Sequence, residues 1–300
     1  MTRTLVTGAA GFTGHYVAKT LRAAGHVVMG WVRPGGEAID WCDATTEVEL
    51  LDPASIAGAL ANERPDHVVH LAAVAQVDHQ DVAAMYMTNV VGTRNLLQGL
   101  ADLPDPPKSV LLASSGNVYG NIGGIIDEGT IPAPSNDYGV SKLAMESVAS
   151  IYRERLPLIV VRPFNYTGQG QSAAFLIPKI VNAARAGAVD LKLGNLDVAR
   201  DFSDVRVVAD DYLKLLLEPR AVGQVFNVCS GTSTSLAQLI ELIAQISGHR
   251  FNVQFDPRLA RPNEVKSLQG DPGRLMALLG ERRHIPLADT LDWMLSAPTA

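Results

Sequence analysis

The chain has 300 residues, enough for one domain or two, and with 47% hydrophobic and 19% charged residues it can bury a large core. Its formal net charge of −6 argues against a nucleic-acid-binding protein, because such proteins present a basic surface. Cys42 and Cys229 lie far apart and the histidines follow no metal-ligand spacing, so we expect two buried thiols and no metal site.

The sequence also bears on where the protein works. The first apolar strand begins almost at Met1, which leaves no room for a signal peptide. No apolar run is long enough to span a bilayer. We therefore expect a cytoplasmic protein with no membrane partner.

The chain opens with a short apolar strand, a glycine-rich turn and a helix. Residues 4–7 read as the strand, and a helical pattern runs over 16–24. Between them the spacing is Gly-x-x-Gly-x-x-Gly rather than the commoner Gly-x-Gly-x-x-Gly. Glycines here let backbone N–H groups approach a pyrophosphate, and the helix N-terminus stabilises its charge. The predicted dinucleotide-binding residues of this turn are Gly8, Gly11, Phe12, Thr13 and Gly14.

Apolar strands alternate with helical patterns through the first half of the chain. The expected strands are 4–7, 27–32, 48–51, 67–71, 109–113 and 158–161. The expected helices are 16–24, 54–61, 83–103 and 138–155. This alternation predicts an α/β fold, a Rossmann-type doubly wound parallel sheet covered by helices on both faces.

The pattern loosens after residue 165. Helices are expected over 173–186 and 236–246, and the strand-like run 225–228 is expected to return to the main sheet. We therefore predict an NAD(P)-binding domain over 1–165, rejoined near 225–228, and a smaller C-terminal substrate-binding lobe over 166–300.

The end of the second strand bears on which dinucleotide binds. NAD enzymes usually place Asp or Glu there to bind the ribose 2′-hydroxyl. The sequence instead reads Gly-Trp-Val-Arg from Gly30, and Arg33 is close enough to meet a 2′-phosphate. We therefore expect NADP(H) to be preferred, with NAD(H) as the alternative.

A tyrosine and a lysine four residues apart form the second chemical signal. Tyr138 and Lys142 share one face of a predicted helix, and Ser115 lies upstream in Ser-Ser-Gly-Asn-Val-Tyr. A cation beside a phenol favours phenolate and should lower its pKa toward the working range. A serine hydroxyl could then hold a substrate oxygen against the phenol. The set suits proton transfer on and off a carbinol or carbonyl oxygen.

Together these features resemble the extended branch of the short-chain dehydrogenase/reductase superfamily, which acts on nucleotide sugars, over nearly the whole chain. Ser115, Tyr138 and Lys142 match its catalytic trio. The resemblance implies that Tyr138 and Lys142 also contact the cofactor. It implies further cofactor-binding residues near the adenine, along the Ala-Ala segment and in the Asn-Val-x-Gly-Thr helix, namely Glu49, Leu50, Leu71, Ala72, Ala73 and Asn89.

Four later stretches resemble one subgroup, the GDP-4-keto-6-deoxy-D-mannose reductases and their relatives. They are RPFNYTGQGQ from Arg162, RDFSDV from Arg200, FNVCSG from Phe226, and Arg261-Pro262. The match implies that Asn165, Arg200 and Arg261 contact substrate together with Ser115, the arginines at its diphosphate. Gln169 replaces the usual proline and Val207 the usual aspartate, and both departures lie on the substrate side. The family usually pairs two long helices per protomer, so a homodimer through 83–103 and 138–155 is expected.

Four reactions share this scaffold. Family dehydratases carry an Asp-Glu pair right after the catalytic Ser or Thr, whereas this chain has Gly116 and Asn117, which cannot transfer protons. Epimerase-reductases add a Cys and a His, and the segment after Asn165 has neither. Reduction and 4-epimerisation remain, and both need only the trio and a nicotinamide.

We expect NAD(P)H-dependent reduction of the C4 keto group of a nucleotide-linked 4-keto-6-deoxyhexose. The substrate that we expect is GDP-4-keto-6-deoxy-D-mannose. The alternatives are a nucleotide-sugar 4-epimerase and a 4-ketoreductase for a dTDP-linked sugar. A non-catalytic NADP-binding sensor is a third reading, but a sensor has no need of Ser115, Tyr138 and Lys142. The product configuration at C4 stays open.

Overall fold

A parallel β-sheet forms the centre of the protein in the computed structural model, which describes residues 1–36, 39–75, 81–260 and 266–297. In chain order the strands are β1 Arg3–Thr7, β2 Val27–Val32, β3 Ala44–Glu47, β4 His67–His70, β5 Ser109–Ala113, β6 Gly124–Ile126, β7 Leu158–Pro163, β8 Asn165–Thr167, β9 Asp190–Leu193, β10 Ala199–Asp204, β11 Val225–Val228, β12 Ser233–Ser235, β13 Asn252–Phe255 and β14 Ser267–Gly270.

The α-helices cover this sheet and build the lobe beside it. They are α1 Phe12–Ala23, α2 Pro53–Glu63, α3 Val82–Tyr86, α4 Thr93–Ala101, α5 Asp137–Ser150, α6 Leu176–Arg185, α7 Val205–Leu217, α8 Leu236–Ser247, α9 Gly273–Leu279 and α10 Leu287–Leu295. None of the helices in the described ranges is both long enough and apolar enough to cross a membrane.

The main sheet has seven strands in the order β11-β7-β5-β4-β1-β2-β3, and all neighbours run parallel. The chain winds outward from β1 through β2 and β3, and then in the other direction from β4. The strand order therefore reverses between β1 and β4, which opens a crevice at the carboxyl ends of these strands. The predicted fold class, a doubly wound parallel α/β sheet, is confirmed.

Two apolar clusters hold the helices on opposite faces of the sheet. Val6 and Val28 pack toward α1 and α7, while their neighbours Leu5 and Met29 pack toward α2, α4 and α5. Successive strand residues point to opposite faces, so a sheet covered on both sides buries neighbouring residues of a strand and favours apolar ones at most positions. This is why the inner strands were readable as continuous apolar runs.

The expected third strand over 48–51 is wrong. The strand is β3, the polar segment Ala-Thr-Thr-Glu from Ala44, at the edge of the sheet. Val48 is buried, but it follows the strand and donates its N–H to the carbonyl of Val32. β3 is exposed at three of its four positions, so it carries no apolar run, and the apolar residues just after it misled the prediction.

The expected helix over 83–103 is interrupted. A π-helical turn, Met87–Gly92, separates α3 from α4. Other boundaries also shift, since α1 already begins at Phe12 and α5 ends at Ser150 rather than at 155. The early start of α1 matters because it places the helix N-terminus directly at the glycine turn.

The C-terminal segment contributes to both parts of the protein. β11 pairs with β7 in the main sheet, and α7, which the sequence pattern did not reveal, packs beside α1 on one face of that sheet. The lobe contains a second sheet in the order β12-β10-β14-β6, with β8 paired to β10. A third apolar cluster joins α6, α8 and α10. The division at residue 165 stays a prediction.

Candidate active site

The glycine turn after β1 is closely packed. Gly8 has a φ of +67°, and a Cβ there would lie 2.8 Å from the amide nitrogen of Ala72. A Cβ on Gly14 would lie 2.4 Å from the carbonyl oxygen of Gly8. Gly11 caps α1 without a side-chain hydrogen bond, so the first N–H groups of the helix are available to an anion. The turn therefore fits the pyrophosphate of a dinucleotide.

A cavity of about 230 Å³ lies at the N-terminus of α1. It is lined by Ala10, Gly11, Phe12, His15, Tyr16, Trp41, Gln169 and Gly170. Trp41 donates from Nε1 to the carbonyl of Ala9 at 2.9 Å, and Thr13 Oγ1 is 2.8 Å from the Tyr166 hydroxyl. Sequence analysis missed the aromatic walls, because His15, Tyr16 and Trp41 belong to no motif in the chain.

The segment after β4 forms the next wall of the crevice. The amides of Leu71 and Ala72 both donate to Thr7 Oγ1 at 3.2 Å, which ties this segment to the end of β1. Leu71, Ala72 and Ala73 are all half-buried. Asn89 of the π-helical turn is buried, and its amide group bonds the backbone of Val74 at 2.8 and 3.1 Å.

Asn89 Nδ2 also donates to Ser141 Oγ at 2.9 Å. Its side chain thus joins the wall after β4 to α5, the helix of the trio. The structure assigns it a supporting position, and the direct cofactor contact implied by the resemblance stays a prediction.

The candidates for the adenosine end lie at the carboxyl ends of β2 and β3. Arg33 directly follows β2 and is exposed. Glu49 is exposed too, and its carboxylate accepts the N–H of Leu51 at 3.0 Å. Leu50 is half-buried and faces the π-helical turn, since a Cβ on Gly92 would lie 3.2 Å from its Cβ. All three therefore lie at the edge of the sheet that carries the glycine turn.

The structure brings Ser115, Tyr138 and Lys142 together beside this crevice. Ser115 follows β5 and caps a 3₁₀ turn, where its Oγ accepts the backbone N–H of Asn117 at 3.1 Å. Tyr138 lies in the first turn of α5, and its phenol is hydrogen-bonded to Ser115. One turn later, Lys142 is buried, with Nζ 6.0 Å from the Tyr138 ring centre and 2.7 Å from the carbonyl oxygen of Ala113.

The electrostatics of the pair differ from the expectation. Burial raises the pKa of Tyr138, the nearby Tyr166 phenol raises it further, and the hydrogen bond from Ser115 only partly opposes them. Burial also lowers the pKa of Lys142 to about 8, against the opposing charge of Glu146. The expected lowering of the Tyr138 pKa is therefore not found, because loss of solvation outweighs the other influences. Tyr138 keeps its proton at neutral pH.

Two of the predicted substrate residues lie on adjoining strands of the lobe. Asn165 begins β8, is exposed, and donates to the carbonyl of Asp201 at 3.4 Å. Arg200 lies in β10, is half-buried, and donates to the carbonyl of Ala199 at 2.8 Å. Arg261 lies outside the described residues.

The two departures from the subgroup pattern have different surroundings. Gln169 lies over the cavity at α1 and donates from Nε2 to the carbonyl of Trp293 at 2.5 Å. Val207 is buried within α7, where it contributes an apolar side chain. Gln169 therefore borders the crevice beside the glycine turn, whereas Val207 lies in the packed interior, so the expectation that both departures lie on the substrate side is wrong.

Asp201 is a residue that sequence analysis passed over. It is fully buried in β10 and accepts the backbone N–H groups of Ser230, Gly231 and Gly270, at 2.8, 2.9 and 3.3 Å. It also accepts the Ser230 hydroxyl at 2.6 Å. One carboxylate thus joins three segments of the lobe beside Arg200. The RDFSDV stretch that contains Asp201 was the sequence signal that could have identified this residue.

Comparison with known proteins identifies the class. The sequence profile of the NAD dependent epimerase/dehydratase family matches residues 4–229, which include the glycine turn and the trio. The chain therefore belongs to this family, and the resemblance to extended short-chain dehydrogenase/reductases is confirmed. It is an enzyme of the NAD(P)-dependent oxidoreductase class.

Two curated relatives match almost the whole chain. GDP-6-deoxy-D-talose 4-dehydrogenase from Aggregatibacter actinomycetemcomitans is 33% identical over 279 residues, covering 92% of this chain and 90% of that protein. GDP-6-deoxy-D-mannose reductase from Pseudomonas aeruginosa is 36% identical over 309 residues, covering 98% and 96%. Both names describe redox chemistry on GDP-linked 6-deoxyhexoses.

Two solved structures resemble this protein both in fold and in sequence. A candidate epimerase from Burkholderia cenocepacia J2315 superposes with a TM-score of 0.93 at 47% identity, covering 98% of this chain and 97% of that one. RMD from Pseudomonas aeruginosa, complexed with NADPH, superposes with a TM-score of 0.85 at 35% identity, covering 99% and 97%.

Proposed function

We propose that this protein reduces the C4 keto group of a nucleotide-linked 4-keto-6-deoxyhexose with NADPH, and that the substrate is GDP-4-keto-6-deoxy-D-mannose. The observation that carries the proposal is the contact of Ser115 with the Tyr138 phenol, with Lys142 buried beside them at the mouth of the crevice. The two curated relatives named for GDP-linked 6-deoxyhexoses support the choice of sugar and base.

The protonation of Tyr138 favours the reductive direction. Reduction of a ketone places negative charge on the carbonyl oxygen, which then needs a proton. A phenol whose pKa is raised by burial holds that proton until the charge develops. Ser115 can donate to the same oxygen and align it with the phenol, and the Lys142 ammonium stabilises the phenolate left after proton transfer.

The cofactor would be held by the glycine turn and the segment after β4. Gly8, Gly11 and the first turn of α1 would bind its pyrophosphate, and Ala72 would line its path. When bound, NADPH would supply the hydride for C4 of the sugar. Arg33 supports the choice of NADP(H), since an arginine can bind a 2′-phosphate, and the relative solved with NADPH agrees with it.

The surroundings of Ser115 argue against dehydration. Gly116 packs against Phe164, because a Cβ there would lie 3.4 Å from two of its ring atoms. Asn117 directs its Nδ2 at Ser115 Oγ at 3.1 Å. Neither residue can remove a C5 proton or protonate a leaving hydroxyl, which supports C4 chemistry as the reaction of this site.

The test supplies purified protein with GDP-4-keto-6-deoxy-D-mannose and NADPH. We expect loss of nicotinamide absorbance in a one-to-one ratio with a GDP-6-deoxyhexose, identified by mass and by NMR at C4. Tyr138→Phe serves as the inactive control. Absence of turnover with a folded, cofactor-binding protein would contradict the proposal.

The same assay distinguishes the alternatives. A 4-epimerase would interconvert two nucleotide sugars without net oxidation of NADPH, because it returns the hydride to the same sugar. Activity on a dTDP-linked but not a GDP-linked keto sugar would keep the mechanism and change the base. The test for 4-epimerase activity is needed because one of the similar structures is a candidate epimerase.

We also propose a homodimer formed through α5 and the helical segment made of α3, the π-helical turn and α4. Exposed apolar side chains support it, namely Met87 in the π-helical turn and Val140 and Ile151 on and just after α5. Light scattering after gel filtration should give twice the monomer mass. A monomer at micromolar concentration would contradict this proposal without affecting the chemistry.

A further inference from the structure

A buried ion pair lies directly behind the trio. Tyr138, Lys142 and Glu146 follow one another at intervals of four residues, so they share one face of α5. Glu146 pairs with Arg162 of β7 through two contacts, Nε to Oε1 at 2.9 Å and Nη2 to Oε2 at 2.6 Å. The side chains are only 7% and 11% exposed for Arg162 and Glu146. The pair is thus shielded from solvent beside a buried lysine.

Glu146 has two further relations to the trio. Its Oε1 accepts the hydroxyl of Ser114 at 2.5 Å, and Ser114 is the neighbour of Ser115 in the chain. Its charge also opposes the desolvation of Lys142, whose Nζ donates to the carbonyl of Ala113. One carboxylate therefore contacts the segment that carries Ser115 and acts on the cation beside Tyr138.

A contribution to stability is a weak explanation for the buried ion pair of Glu146 and Arg162. Burying two charges costs solvation free energy, and apolar residues of similar size often stabilise a core equally well. A buried lysine, by contrast, loses its proton readily unless an anion lies near it. The position of Glu146 one turn after Lys142 provides that anion.

We propose that Glu146 is a positioning residue for the reaction: its carboxylate keeps the Lys142 ammonium protonated and fixes Ser114, and with it Ser115, relative to Tyr138. The inference rests on the proposed role of the trio. Arg162 holds the carboxylate in place, and its Nη1 donates in turn to the Tyr119 hydroxyl at 3.0 Å.

Other titratable groups face Lys142 and Tyr138 from neighbouring elements. His70 of β4 is buried, and its pKa is lowered to about 3 by burial and by the Lys142 charge, so it stays neutral. Tyr166 of β8 acts on Tyr138, and burial raises its own pKa. Tyr119, behind Arg162, likewise has a pKa raised by burial. These groups stay uncharged near neutral pH, whereas Glu146 carries the charge that favours the protonated lysine.

The first experiment measures kcat/KM for reduction between pH 6 and 10. Since Lys142 titrates near pH 8, the unmodified enzyme should lose activity as the pH rises through that value. Glu146→Gln should move this alkaline limb to lower pH by on the order of one unit, the effect of losing a nearby opposite charge. That shift corresponds to a loss of about fivefold at pH 8 and little at pH 6. Glu146→Asp keeps the charge and should restore the limb.

One further variant separates the contact with Ser114 from the effect on the Lys142 charge, and a second variant is the control. Ser114→Ala removes only the hydroxyl contact, so it should lower kcat without moving the limb. The matched control is Glu63→Gln, because Glu63 is also buried and accepts two side-chain donors, Trp31 and Thr46, away from the trio. The control should leave the pH profile unchanged even if it lowers the melting temperature.

The second experiment reads Lys142 without any substrate. NMR of protein labelled with ¹³C at the lysine ε-carbon gives the pKa of Lys142, assigned by the signal missing in Lys142→Met. We expect a lower pKa in Glu146→Gln. A lowered pKa in a protein that reduces no nucleotide sugar would support the electrostatic role and overturn only the proposed function.

An unchanged Lys142 pKa together with an unchanged alkaline limb in Glu146→Gln would overturn the inference. If this variant does not fold, Ser114→Ala decides, since an unchanged kcat would overturn the positioning of Ser115.

Discussion

The two sides of the crevice are built in different ways. The phosphate-binding part of the cofactor side comes from one short stretch, in which β1, the glycine turn and α1 follow one another within residues 3–23. Within this stretch a Cβ on Gly14 would lie 2.4 Å from the carbonyl oxygen of Gly8, and Gly8 itself packs against Ala72 of the segment after β4. A dinucleotide phosphate can be bound by backbone N–H groups, so few side chains need to be specified.

The substrate side is assembled from distant segments. Its sheet takes β6 from 124–126, β10 from 199–204, β12 from 233–235 and β14 from 267–270. Asp201 connects three of these regions through one buried carboxylate. The proposed recognition of sugar and base would therefore depend on side chains that are far apart in the chain.

Because of this difference, we expect the two sides to respond differently to substitution. A glycine turn tolerates almost no added atoms, but it would contact only the pyrophosphate, which NAD(H) and NADP(H) have in common. We expect a lobe made of several segments to accept altered side chains without disturbance of the main sheet. The following predictions test this contrast, beginning at the trio between the two sides.

Tyr138→Phe should cause the largest loss. Removing the phenolic proton donor should lower kcat by about 100- to 10,000-fold, the range of general acid catalysis. Steady-state kinetics and a melting curve measure the effect. Tyr86→Phe is the matched control, since Tyr86 contacts Asp137 through its hydroxyl at 3.0 Å on the neighbouring helix and should be dispensable. Comparable losses in both variants would contradict the role of Tyr138.

Gly8→Ala should damage the cofactor side. The φ of +67° and the 2.8 Å approach to Ala72 should together lower the free energy of unfolding by about 3 kcal/mol. Urea denaturation and titration with NADPH measure stability and binding. Gly25→Ala shares a positive φ of +85° but has open space around it, so it should cost only about 1 kcal/mol. Equal costs would mean that the close packing of the turn is unimportant.

Arg200→Ala should affect only the substrate side. Losing a charged hydrogen-bond donor to the diphosphate should raise KM for the nucleotide sugar by about tenfold or more. The dissociation constant of NADPH should not change. Arg250→Ala, which removes a lobe arginine paired with Glu241, is the control. A weaker NADPH affinity in Arg200→Ala would show that the two sides are not independent.

Arg33→Ala should have the smallest effect. The unmodified protein should bind NADPH more tightly than NADH, and loss of this exposed arginine should narrow the preference by about three- to tenfold. Fluorescence titration with both cofactors gives the ratio. Arg153→Ala removes another exposed arginine and should leave it unchanged. Equal affinities in the unmodified protein would contradict the NADP(H) assignment.

The prediction of the fold succeeded where burial is two-sided. β2 and β5 were placed at their observed bounds because strands inside the sheet are buried on both faces and largely apolar. β11 was also placed at its observed bounds, since three of its four residues are buried although it lies at the edge of the sheet. The edge strand β3 was misplaced because it is polar. The sequence prediction contained no helix over Val205–Leu217, the segment that directly follows the RDFSD residues.

The sequence by itself determined the glycine turn, the shared helix face of Tyr138 and Lys142, and the positions of the inner strands along the chain. These depend on spacing along a single helix or turn and on two-sided burial, which are local properties. Only the tertiary structure decided what surrounds them. The raised pKa of Tyr138, the lowered pKa of Lys142 and the pair formed by Glu146 and Arg162 arise from burial among distant segments. Solvation and through-space charge depend on packing, which the spacing of a motif does not specify.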